Sequence, residues 1–188
     1  MIELPQIEER DIYLSEDVSQ VSLLNITQRI IQINKSDKNI KRISKIYGFK
    51  YKPKPIRFFI DSYGGDVYAT MGLIGVMEVS KTPIHTIATG AQMSCGFTLL
   101  IAGHKRFAYK HATLMYHQVS NGFWGTLKDM QASEKETKRI QEWWEGYVLS
   151  RTNISKSKLK KIFNKKQDLY VTASKALSLG VIDEVIKE

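Results

Sequence analysis

Cysteine occurs once in this chain of 188 residues, at Cys95, so no internal disulfide framework is possible and a reducing compartment suits the composition. Long apolar runs are missing: none approaches the roughly 20 residues that span a bilayer. The opening Met1-Ile2-Glu3-Leu4-Pro5-Gln6 has neither the basic start nor the apolar centre of a secretion signal. Cytoplasmic residence with no membrane partner is the expectation. His85, His104, His111 and His117 lack ligand spacing with one another and with the cysteine, which argues against a metal site. Neither a G-x-G-x-x-G fingerprint nor a G-x-x-x-x-G-K-[ST] loop is present, so no cofactor is expected and any ATP dependence has to come from a partner. There is no internal repeat and no low-complexity tract.

The length suits one domain with a sizeable core, and 43% hydrophobic with 25% charged residues is ordinary for a globular protein. The net charge of +9 is concentrated locally. Lys35, Lys38, Lys41, Arg42 and Lys45, then Lys50, Lys52 and Lys54, lie in one stretch opposed only by Asp37. Tyr47, Phe49 and Tyr51 interleave with the later lysines, a mixture able to serve a single nucleic-acid strand. The plainer reading is a solvated basic loop or helix with the aromatics packed beneath it, and a nucleic-acid partner is not the expectation.

Ser15-Glu16-Asp17 reads as a helix start, with Val18, Val21, Leu24 and Ile31 as a stripe at helical spacing. Lys52-Pro53-Lys54-Pro55 must be extended. Ile56-Arg57-Phe58-Phe59-Ile60 has strand length and stops at the turn Asp61-Ser62-Tyr63-Gly64-Gly65. A helix follows with Val67, Met71, Ile74 and Met77 on one face, then the breaker Lys81-Thr82-Pro83 and a strand over 84–88. Short strands are expected over 106–109 and 113–116, a helix from Thr126 to about Ser150, a lysine-rich helix over 156–163, a short helix between Thr172 and Gly180, and a last strand over 181–185. Trp143, Trp144, Tyr147 and Val148 crowd the apolar side of the long helix, which suggests burial against another subunit, although packing on the same domain also accounts for them. Strands alternating with helices predict an α/β fold with parallel crossovers, and ligand sites at the strand C-terminal ends.

Two segments fall at such ends. One is the Gly64-Gly65 turn; the other is Gly90-Ala91-Gln92-Met93-Ser94-Cys95-Gly96, which places a serine where the apolar helix Phe97-Thr98-Leu99-Leu100-Ile101-Ala102 begins. A helix start favours a developing oxyanion, though a small-residue turn into a buried helix also serves packing alone. A nucleophilic serine needs a base and an orienting carboxylate. Among the histidines, His117 ends a strand at the same kind of edge as Ser94. Asp168 stands just ahead of Leu169-Tyr170-Val171-Thr172, with Asp61, Asp66 and Asp183 as rivals. Cys95 is a second candidate nucleophile, more in keeping with a small buried residue whose backbone N–H matters.

Four motifs in order resemble the ClpP family, the proteolytic subunits of ATP-dependent Clp proteases. Phe59 to Gly65 is similar to the family's strand and Ser-Pro-Gly-Gly turn, and Gly90 to Gly96 to its nucleophile segment. Leu114-Met115-Tyr116-His117-Gln118 is similar to its Met-Ile-His-Gln stretch. Asp168 to Ala173, with Leu179-Gly180-Val181-Ile182-Asp183, is similar to its C-terminal block. The resemblance implies a ClpP/crotonase-like α/β head with a protruding strand-plus-helix handle at about 120–152, in a single domain over 1–188 that carries a basic insertion at 35–55. It implies a serine endopeptidase with Ser94 as nucleophile, His117 as base, Asp168 as third member, and the N–H groups of Gly65 and Cys95 as oxyanion donors. It also implies homo-oligomers of stacked heptameric rings around a chamber and an ATPase unfoldase partner acting on unfolded polypeptide.

Tyr63 stands for the usual proline and Cys95 for the usual methionine, positions where the family uses backbone groups. Arg57 replaces an aromatic residue common in the pocket that receives the ATPase, and few residues precede Asp11 to form pore loops. The basic insertion resembles that of phage-borne and prophage-borne relatives. Two other functions compete: a catalytically inactive ClpP-like ring subunit, and a crotonase-like acyl-thioester enzyme.

Overall fold

Alternation of buried Ile56, Phe58 and Ile60 with outward-facing residues makes Ile56–Ser62 a strand, β2, with one face in the core. The computed structural model describes residues 9–187. The opening segment read for a secretion signal, and most of that read for pore loops, lies outside the described residues.

On one side of β2 lies β1 (Asp11–Leu14) and on the other β3 (Ile84–Met93), followed by β4 (Lys105–Tyr109) and β7 (Glu184–Ile186), in the order β1-β2-β3-β4-β7. Every pairing along this path is parallel. Parallel neighbours require crossovers. These are α1 (Gln20–Tyr47) between β1 and β2, α2 (Val67–Val79) between β2 and β3, and α3 (Cys95–Ile101) between β3 and β4. β3 is the longest strand. Its first part pairs with β2 and β4, while Ala91 to Met93 run on to pair with β5 (Thr113–Tyr116). The Asp61 carboxylate holds this extension by accepting the Ala91 N–H at 2.7 Å. β6 (Leu169–Thr172) lies antiparallel to β5. The remaining helices are α4 (Leu127–Arg151), α5 (Lys156–Lys165) and α6 (Ala173–Ser178).

Several expectations are corrected. α1 starts at Gln20, capped by a reciprocal Ser19–Ser22 box, and its buried face is Leu23, Ile26, Ile30 and Ile33. Val18 is buried ahead of the helix, and the expected stripe of Val21, Leu24 and Ile31 faces outward. Isoleucines and leucines on two faces make the helical phase ambiguous from spacing alone. The basic stretch is no loop over its first part, because α1 continues through it to Tyr47. Val181 and Ile182 are buried in a turn before β7 rather than within it. Of the strand-plus-helix arm the chain forms the helix, while residues 117–126 join no strand of the described sheet.

Trp144 packs on its own domain, the second of the two readings. It is buried within its own chain, edge-on to Tyr116 with ring centroids 6.2 Å apart, while Trp143 stacks on Tyr147 at 5.5 Å. The Trp144 indole needs no second subunit to cover it, while Trp143 is only partly buried. Full burial of each large apolar side chain contributes about 1.5–3 kcal/mol relative to exposure.

Candidate active site

Met93 ends β3 and Cys95 starts α3, so the chain turns from strand to helix within one residue, Ser94. Its φ of 54° and ψ of −118° lie where a residue with a Cβ rarely sits. The Ser94 N–H donates to the Met115 carbonyl at 2.9 Å, anchoring the turn to β5. The hydroxyl does not cap α3. It meets His117 instead, with Nε2 at 2.9 Å from Oγ. The parallel register pairs Met93 with Met115, so the residues that follow each strand end emerge at one level. His117 is partly buried and packs edge-on to Trp144, centroids 6.4 Å apart. Gln141 of α4 accepts the Val119 N–H at 2.8 Å, fixing the chain just beyond the histidine.

The other histidines lie elsewhere. His85 is the second residue of β3, His104 accepts the Ile84 N–H through Nδ1 at 3.1 Å, and His111 is in the turn before β5. The rival aspartates have other tasks. Asp61 holds Ala91, Asp66 caps α2 by accepting the Ala69 N–H at 2.9 Å, and Asp183 pairs with Arg106 at 2.6 Å. Asp168 is exposed, and no hydrogen bond joins it to His117 among the described residues. The antiparallel register brings the two backbones together, however. Tyr116 pairs with Leu169 as the last pair of the ladder, and His117 and Asp168 are the residues adjoining that pair on the two strands.

The Gly64-Gly65 turn is pressed between two neighbours. A Cβ on Gly64 would lie 2.6 Å from Ser94 Cβ, and one on Gly65 would lie 2.2 Å from the Val18 carbonyl oxygen. Their φ values of 108° and 142° also exclude ordinary side chains. Val18 grips the turn through its N–H to Gly64 O at 2.7 Å and its carbonyl to Asp66 N at 2.8 Å, while Gly64 N–H donates to Ser62 Oγ at 3.2 Å. The Gly65 N–H is the donor that none of these bonds uses. Cys95, first in α3, has an N–H with no acceptor inside the helix.

The Cys95 side chain is buried and its Sγ lies 3.2 Å from the Gly65 carbonyl oxygen. Burial pushes the thiol pKa up, so it stays protonated and is a poor nucleophile. Beside Gly65 a groove of about 630 Å³ runs along α4, lined by Tyr68, Val119, Asn121, Phe123 and Ile140. Sequence spacing gave no sign of Trp144 behind the histidine or of Val18 holding the glycine turn. Both contacts join distant segments, and each residue read there only as part of an apolar helix face.

The chain matches the Clp protease family over residues 19–188. It is 33% identical over 135 residues to an ATP-dependent Clp protease proteolytic subunit of Deinococcus radiodurans, covering 71% of this chain and 65% of the relative. It is 30% identical over 193 aligned positions to the protein of that name from Porphyromonas gingivalis, covering 94% of this chain and 86% of the relative. The corresponding Bacteroides fragilis subunit is 30% identical over 191 positions, covering 93% and 91%.

Proposed function

Because this chain belongs to the Clp protease family of serine peptidases, we propose that it hydrolyses peptide bonds of unfolded polypeptides through Ser94, His117 and Asp168. The observation that carries the reading is the 2.9 Å contact between His117 Nε2 and Ser94 Oγ on a strained strand-to-helix turn. Ser94 Oγ attacks the scissile carbonyl carbon while His117 Nε2 takes the hydroxyl proton. The carbonyl oxygen becomes an oxyanion and accepts hydrogen bonds from the N–H groups of Gly65 and Cys95. One such donor is typically worth about 10²–10³ in turnover. His117 returns the proton to the leaving amine, and water then releases the acyl group by the same route in reverse roles.

Asp168 is assigned the task of orienting the imidazole. The support is its place beside the last β5–β6 pair, which His117 adjoins on the other strand, and the occupation of Asp61, Asp66 and Asp183 elsewhere. The groove beside Gly65 receives the substrate strand, with Val119 and Ile140 favouring an apolar side chain.

Assembly into an oligomeric chamber supplied by an ATPase partner belongs to the same proposal. Phe123, Trp124, Leu127 and Met130 are exposed at the start of α4, where a neighbouring subunit would cover them. At the ATPase-facing position, Arg57 is paired with Asp11 and lies over the Phe59 ring at 5.7 Å. A standard docking loop would have to displace that ion pair. Among the described residues no helix is long and apolar enough to cross a membrane.

Hydrolysis of a fluorogenic peptide and of unfolded casein by the wild type and Ser94→Ala tests the reading. Activity lost in the variant, with unchanged particle mass, supports it. Equal rates would refute it, and a wild-type particle inert toward both substrates would favour the inactive ring.

A further inference from the structure

Asp37 is the one carboxylate between Lys35 and Pro55, and the fold withdraws it from that surface. Arg10 donates to it from both terminal guanidinium nitrogens at 2.9 and 2.5 Å, Thr82 donates at 2.5 Å, and the Tyr51 hydroxyl completes the shell. Lys35, Lys38, Lys41, Arg42, Lys45, Lys50, Lys52 and Lys54 all stay exposed, and none is ion-paired among the described residues. The charge of this segment is therefore unneutralised.

Its arrangement is regular. At 3.6 residues per turn, the five cations of α1 fall on one flank within an arc of about 120°. Gly48, at φ 74°, ends the helix and the chain returns alongside it. The return is pinned by Tyr51 on Asp37 and by Arg10 donating to the Lys54 carbonyl at 2.8 Å. Along it Tyr51, Pro53 and Pro55 turn inward while Lys50, Lys52 and Lys54 face out. In an extended chain those three lysines recur about every 6.6 Å. Tyr47 and Phe49, 63% and 49% exposed, stand at the reversal between the two cationic rows.

We propose that this strip binds single-stranded nucleic acid. Two pre-positioned rows of cations suit a polyanion whose charges also recur regularly, and the exposed aromatic faces suit bases that stack without regard to sequence. An acidic polypeptide would match the charge but would leave Tyr47 and Phe49 unused. The proposal stands on residues remote in sequence from Ser94 and His117 and is independent of the peptidase reading.

The test is fluorescence anisotropy of a labelled single strand of about 20 nucleotides with the full chain, between about 50 and 200 mM salt. With about six phosphates neutralised, log K against log salt falls with a slope of about −4 for the wild type. Replacing Lys50→Gln, Lys52→Gln and Lys54→Gln together flattens that slope by about 2, and Phe49→Leu weakens binding with the slope unchanged. Lys38→Gln with Lys45→Gln tests the helical row independently and flattens the slope by about 1.4. No binding by the wild type at about 50 mM salt, or wild-type slopes in both lysine variants, would overturn the proposal. So would polyglutamate displacing the strand as well as unlabelled oligonucleotide of equal charge, which would identify an acidic polypeptide as the occupant.

Discussion

The Cys95 thiol donates to the carbonyl of Gly65 at 3.2 Å, joining the start of α3 to the glycine turn on the far side of Ser94. Each of these residues supplies one of the proposed oxyanion donors, so the side chain of one donor helps set the position of the other. Val18 grips the same turn from its opposite face. Cys95→Ala removes the link and is expected to lower kcat about 3–10-fold, roughly the worth of one modest hydrogen bond, with KM nearly unchanged. Cys95→Ser keeps a donor and should recover most of the loss. Equal losses in the two variants would assign the effect to packing around the sulfur rather than to the bond.

Gly65→Ala tests the other side of this turn. The new Cβ would meet the Val18 carbonyl oxygen at 2.2 Å, and φ is 142°. The turn must move, carrying the Gly65 N–H away from the developing oxyanion. Turnover is expected to fall by at least the roughly 10²-fold typical of a lost donor. Activity within a factor of about two of the wild type would mean that this N–H takes no part.

Asp168→Asn is expected to leave the fold intact, because the side chain is exposed and ion-paired with no described residue. It should nonetheless cost a large part of kcat, up to about 10⁴-fold, since an amide holds the imidazole in the wrong tautomer. Circular dichroism and peptide hydrolysis measured together separate the two effects. Unchanged turnover would move the orienting role to another group.

Asp37 makes a stability prediction with a defined sign. Burial alone would raise its carboxyl pKa, but hydrogen bonds from Arg10, Thr82 and Tyr51 outweigh this and hold it below the usual carboxylate value. The unfolded chain therefore binds the proton more readily in acid. The stabilisation is complete above the unfolded pKa of about 3.9 and is lost as pH falls through the lower folded value. Thermal unfolding from about pH 6 down to about pH 3 should give a steeper fall in Tm for the wild type than for Asp37→Asn. At neutral pH the variant should be less stable by about 3–5 kcal/mol, because the Arg10 charge is left buried and unpaired. Parallel Tm curves would mean that the Asp37 carboxylate contributes no pH-dependent stability.

Most of the order of strands and helices was legible because a short apolar run ends at a turn signal, as Ile56 to Ile60 does before the Gly64-Gly65 turn. β1 and β6, four residues each with at most alternate residues buried, were not read as strands. Ser94 and His117 were legible through motif and position together, and the structure brings them into contact. The face of α1 was not, because its isoleucines lie on two sides and only packing against the sheet selects Ile30 and Ile33 over Ile31. Asp37 read as a counter-charge to its lysine neighbours, but its partners are Arg10, 27 residues before it, and Thr82, 45 after it. Trp144 read as part of the apolar side of α4, open to cover by its own domain or by a second subunit, since spacing does not say that Tyr116 and His117 fill the space against it.

Activation of Ser94 by His117 is the step on which proteolysis by this chain depends. Intact-mass analysis of the assembled particle after exposure to a serine-directed phosphonate tests it most directly, with Ser94→Ala and His117→Ala as controls. A single adduct per chain is expected in the wild type, none in Ser94→Ala, and strongly slowed labelling in His117→Ala. An adduct that persists in Ser94→Ala, or a wild-type particle that takes up no phosphonate, would contradict it.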